Sequence, residues 1–175
     1  MKHKRLNALC KFLPVFIVTS ISIGIYVEMA AAQQVPVRNW IGLEYNFIKE
    51  IPFFKKKVGQ SSRLLPNHSY GVSDYIKGGR HYIFLEKLLD TGSKRFKIIQ
   101  ALDPGKVSID ENMDLSGLCR ENGKTNEYII AVVKMDTDDE VLKNIRKAWR
   151  IDINKGLFTP VDPKKITCIN EGYGL

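Results

Sequence analysis

The sequence predicts a single α+β domain, in which a mainly antiparallel sheet of about five strands carries one packed helix in the C-terminal half. Three observations predict it. Two pairs of aromatic and β-branched runs flank short turn-forming segments, which is the pattern of hairpins. Residues 137–150 repeat apolar side chains at helical spacing. The composition, 44% hydrophobic and 26% charged over 175 residues, is ordinary globular usage and excludes collagenous, low-complexity and wholly disordered chains.

The N-terminus reads as an address. Met1-Lys2-His3-Lys4-Arg5 and Lys11 precede an apolar run from Phe12 to Val27, and Ala30-Ala31-Ala32 follow. A positive start, a hydrophobic centre and small residues before the cut make residues 1–32 a cleavable secretory signal peptide, with residues 33–175 as one exported domain. The run is about 16 residues long, short of the roughly 20 that a spanning helix needs, so an uncleaved anchor is the alternative. Cys10 precedes the run, which excludes a lipoprotein. Removing this segment takes four basic residues and Glu28 from a chain of net charge +8, leaving 23 basic and 18 acidic residues. The lower charge and the exported compartment both count against a nucleic-acid partner.

Export leaves Cys119 and Cys168. An even pair in an exported chain most simply forms one disulfide, closing a loop of about 50 residues worth roughly 4 kcal/mol in the chain-entropy account. A metal site with His68 or His81 and a thiol nucleophile are the alternatives, although neither cysteine lies near a histidine in sequence.

Along the exported part, Trp40, Leu43, Phe47 and Ile51 fall at helical spacing, with Asn39 as cap and Pro52 as stop, and predict a short helix over 36–52. The polar stretch through Ser61, Ser62, Pro66, Asn67 and Gly71 reads as irregular up to Gly78-Gly79. His81–Leu85 and Arg95–Ile99 predict a hairpin around 90–93, and Asp103-Pro104-Gly105 a turn. A second hairpin is expected from Leu115 to Met135 around Asn122-Gly123, with Tyr128–Val133 as the central strand. Thr137 and Glu140 stand at capping-box spacing, and Val141, Ile145, Ala148 and Trp149 form one apolar stripe, so residues 137–150 predict the best helix. Asn154-Lys155-Gly156 ends it, and Leu157–Thr159 and Lys165–Ile169 predict short strands.

No motif assigns catalysis. His68-Ser69 and Ser73-Asp74 lie close in sequence, but no G-x-S-x-G elbow accompanies them. Two histidines thirteen residues apart match no zinc pattern, and Asp136, Asp138 and Asp139 lack the glycine and distal glutamate of a calcium loop. No phosphate loop is present. No catalytic residue, metal or cofactor is therefore expected. The basic clusters are Lys55–Lys57, Lys94/Arg95/Lys97 and Lys143, Arg146, Lys147 and Arg150. The last set is a candidate basic face for an anionic envelope component.

Ala148-Trp149-Arg150, Phe158 and the ending Cys168-Ile169-Asn170-Glu171-Gly172-Tyr173-Gly174 resemble a set of small exported bacterial proteins that end in an A-W-R … C-x-N-E-G-Y-G pattern. The resemblance covers residues 115–175. It implies an exported α+β domain with Cys119 paired to Cys168, and it carries no catalytic residue with it.

The expected function is a periplasmic or secreted, non-enzymatic binding module for an envelope or host macromolecule with an acidic surface. Asn170, Glu171 and Tyr173 form a candidate recognition patch positioned by the disulfide. The alternatives are a hydrolase of an envelope polymer and a binder of an anionic envelope component. A cleft holding two carboxylates, or a carboxylate with a histidine, would favour the enzyme; an exposed apolar or basic patch would favour binding.

Overall fold

The computed structural model describes residues 37–56, 59–66, 69–90, 92, 95–135 and 138–173. The segment expected to be a signal peptide, His68, Lys94 and Thr137 lie outside them. In chain order the strands are β1 (Glu44–Tyr45), β2 (Gly59–Leu64), β3 (Tyr70–Lys77), β4 (Arg80–Asp90), β5 (Arg95–Leu102), β6 (Glu111–Asp114) and β7 (Cys119–Glu121). They continue with β8 (Lys124–Thr125), β9 (Ile129–Lys134), β10 (Val141–Leu142), β11 (Ile145–Asp152), β12 (Leu157–Val161) and β13 (Ile166–Ile169). They build three antiparallel sheets with orders β1-β5-β4-β3-β2, β12-β11-β9-β6 and β10-β13-β7-β8.

Side-chain alternation stacks these sheets in layers. Val72, Ile83 and Leu85, on the inner face of the first sheet, share a core with Met113, Ile130, Val132, Trp149 and Ile151 of the second. Ile129, Ala131 and Val133 point the other way and pack with Leu142, Ile166, Cys119 and Cys168 of the third. β9 therefore lies in the middle layer and is apolar on both faces, which explains why it is the most hydrophobic stretch of residues 33–175. The outer face of the first sheet is covered by residues 37–54, whose Trp40, Ile51 and Phe54 pack on Tyr75, Tyr82 and Phe84. Lys77 fastens this cover, donating to the Phe53 carbonyl with its ammonium 3.9 Å from that ring centroid.

The α+β expectation fails: the fold is all-β, and the helical segments among the described residues are short three-ten turns. The helix expected over 137–150 is β10 and β11. Its apolar spacing has a different cause. The pairing of β11 with β9 slips between Ile145 and Lys147, and the extra residue of that bulge returns Ile145 and Ala148 to one face. Trp149 and Ile151 take the other face. A bulged strand thus imitates a three-residue repeat, and two neighbouring strands supply the hydrogen bonds that override the capping signals. Pro160 is accommodated because β12 is a sheet edge.

The helix expected over 36–52 is likewise replaced. Three-ten turns at Val37–Trp40, Ile48–Glu50 and Pro52–Phe54 surround β1, so Trp40 and Ile51 are buried while Leu43 and Phe47 are exposed. The stretch expected to be irregular is hairpin β2–β3. Gly78-Gly79, with φ of 60° and 72°, is the two-residue turn joining β3 to β4.

The hairpin expected from His81 to Ile99 is present as β4–β5. Asn122-Gly123 turns β7 into β8, but Ile129–Lys134 leaves that hairpin and joins the middle sheet between β6 and β11. Cys119 and Cys168 are disulfide-bonded and stand opposite each other where β7 pairs β13. The bond therefore ties the final strand to β7, and both cysteines pack against the face of β9.

Candidate functional site

Two clefts flank β2, the edge strand of the first sheet, and strand alternation decides which side chains each receives. Ser73, Tyr75 and Glu86 face outward, whereas Val72, Asp74, His81 and Ile83 face inward.

The outer cleft has a volume of about 630 Å3, with Tyr45, Phe47, Ile48, Leu64, Leu88 and Phe96 among its walls. Phe47 and Leu64 are 62% and 51% exposed, so the mouth presents apolar surface to solvent. Glu86 forms part of the lining and is only 3% exposed. Its Oε2 accepts from Ser73 Oγ at 2.8 Å. Its Oε1 accepts from the Tyr45 hydroxyl and, at 3.4 Å, from the Tyr75 hydroxyl. Burial pushes the Glu86 carboxyl up to about 7, against the pull of these three hydroxyls. Burial, followed by the nearby Glu86 charge, raises both phenols above their ordinary range. Both carboxyl oxygens are thus engaged internally, leaving recognition in this cleft to its apolar walls.

The inner cleft, about 550 Å3, lies between β2, β6 and the C-terminal turn, and Asp74, Asp114 and Glu171 line it. Asp74 is 2% exposed and its Oδ2 lies 2.6 Å from His81 Nδ1. Its Oδ1 has no hydrogen-bond partner among the described residues. His81 itself does not line the cleft. Asp114 Oδ1 accepts from the amide and hydroxyl of Ser116 at 2.8 Å each. Arg63 crosses the space to donate to the carbonyls of Leu115 and Glu127, and burial lowers its pKa from the ordinary value.

The structure distributes the sequence candidates unevenly. Ser73 and Asp74 point to opposite faces of β3, one to Glu86 and the other to His81, so they cannot act together. The expected basic face is divided. Arg146 pairs with Glu111 at 2.5 Å and donates to the Lys106 carbonyl, Lys147 donates to the Pro104 carbonyl, and Arg150 pairs with Glu121 on the opposite side. Lys143 is exposed between β10 and β11. In the expected recognition patch, Asn170 is 5% exposed, donating to the Asp139 carbonyl and accepting from the Gly172 amide. It holds the turn, while Glu171 and Tyr173 are exposed. Asp114 lies near both cysteines, but their sulfurs are bonded to each other and offer no thiolate. No family model, curated protein or solved structure matches the chain.

Sequence reasoning missed Glu86 and Tyr45. A signal for Glu86 existed: it follows Tyr82 and Phe84 at the two-residue step, directly after the apolar run Tyr82–Leu85, so an outward-facing acid beside aromatic side chains was implied.

Proposed function

We propose that the chain is an exported, non-enzymatic binding module that receives an extended apolar segment of an envelope or host macromolecule alongside β2. The observation that carries this reading is the outer cleft, where apolar walls open beside the last strand of a sheet. An added strand would gain main-chain hydrogen bonds from the edge and place alternate side chains in the cleft. Gln60, Ser61, Ser62 and Arg63 of β2 are polar and all but Arg63 are exposed, which keeps the edge soluble when empty. Lys49 at the mouth suits a partner whose apolar segment is bordered by acidic groups.

The test is an NMR titration of the isotopically labelled chain with a synthetic peptide alternating valine and threonine between aspartates. Amides of β2 should shift, and Phe47→Ser should weaken binding about tenfold. Unmoved β2 amides overturn the reading. The three carboxylates of the inner cleft are the observation that favours the hydrolase alternative. Turnover of an envelope polysaccharide that is lost in Asp114→Asn would install it instead.

A further inference from the structure

The inner cleft is acidic on a basic chain. The net charge of the protein is +8, yet Asp74, Asp114 and Glu171 line this cleft with Arg63 as the single cation among its lining residues. The Arg63 guanidinium is already engaged by two main-chain carbonyls. A carboxylate oxygen buried without a donor costs free energy in the empty protein, and a ligand supplying that donor recovers it. Asp74 Oδ1 is such an oxygen.

We propose that the inner cleft binds a primary ammonium group, held by Asp74 Oδ1, with Asp114 and Glu171 attracting the rest of a cationic chain. Three features select this ligand. Asp74 Oδ2 is occupied by His81, so only Oδ1 is left without a partner; a bidentate guanidinium would find half its partner missing, whereas an ammonium is a point charge. A metal is disfavoured because the only three ligand groups converging within 4.8 Å among the described residues are Asp114 and the two disulfide cysteines. The cleft volume of about 550 Å3 also accommodates an aliphatic chain behind the ammonium head.

Calorimetric titration tests this with three probes at equal salt: spermidine, Nα-acetyl-lysine amide and Nα-acetyl-arginine amide. Both ammonium compounds should bind, and the guanidinium compound should bind severalfold more weakly. Tighter spermidine binding would identify a free polyamine as the source of the ammonium, and tighter binding of the lysine derivative a lysyl side chain. Asp74→Asn should weaken ammonium binding by at least about tenfold. Because that change also removes the charge from the His81 contact, Glu171→Gln at the exposed rim serves as a second variant, with an expected loss of about threefold. Absence of binding by both ammonium compounds overturns the proposal. So does equal affinity for all three, or an affinity indifferent to every folded variant. The outer-cleft peptide plays no part in this titration, so the two readings fail separately.

Discussion

β3 and β4 bury two carboxylates on opposite faces of the same hairpin and treat them differently. On the outer face Glu86 receives three hydroxyls and both its oxygens are used. On the inner face Asp74 receives one imidazole nitrogen and keeps an unpartnered oxygen. Both are buried to a similar degree, so burial alone does not separate them. Hydrogen-bond saturation does. A saturated buried network specifies packing, while an incomplete one leaves an acceptor at a cleft for something else to fill.

The largest expected effect follows from that difference. Glu86→Ala removes the common acceptor of Ser73, Tyr45 and Tyr75 and leaves space beneath an aromatic cover. Urea unfolding should show a loss of about 3–4 kcal/mol. Asp74→Ala deletes one bond to His81 and, with it, the orphaned oxygen, so its loss should be about 1–2 kcal/mol. Equal losses would erase the contrast between the faces.

The pH dependence sharpens it. Glu86 rises from an ordinary 4.5 to about 7 through burial, so between these values the folded chain holds a proton that the unfolded chain has released. Its contribution to stability is complete below pH 4.5, declines as pH rises, and is lost once pH has passed about 7. The full span is about 3 kcal/mol. Urea melts at intervals across this window should trace the decline, and Glu86→Gln should flatten it. A slope that persists in Glu86→Gln would move the titration to another group. Glu111, held below its ordinary range by Arg146, acts in the opposite direction and at lower pH, where loss of its charge costs stability as the medium is acidified.

Much of the sheet was legible because hairpins write themselves locally. The runs His81–Leu85 and Arg95–Ile99 carry their own turn, and Asn122-Gly123 supplies the positive φ values that a two-residue connection needs. The disulfide was legible from the even pair of cysteines left once residues 1–32 are read as a signal peptide. The region 137–150 was not, since its strand character depends on β9 and β13 as partners and on a bulge that shifts the apolar phase. β2 was hidden for a related reason: an edge strand with polar residues on both faces has no period to read. The clefts were less legible still. Asp74 and His81 meet because the Gly78-Gly79 turn brings their strands into register, and Tyr45 reaches Glu86 from a strand across the sheet. Such encounters leave no spacing in the sequence.

The smallest expected effect concerns one hydroxyl. Ser73 donates to Glu86 Oε2, and this bond favours the ionised carboxyl. In Ser73→Ala the oxygen loses its donor while Tyr45 and Tyr75 still serve Oε1. Because Ser73 lies on the outer face and Asp74 on the inner, the substitution leaves the His81 contact untouched. Stability at neutral pH should fall by about 1 kcal/mol. The fall should shrink on acidification, because the protonated carboxyl depends less on a donor. The midpoint of the pH-dependent loss should also move to higher pH, since the carboxyl has lost one of the bonds that stabilise its charge. An unmoved midpoint would mean that the two phenols alone set the charge state of Glu86, and that Ser73 only fills space beside it in the outer cleft.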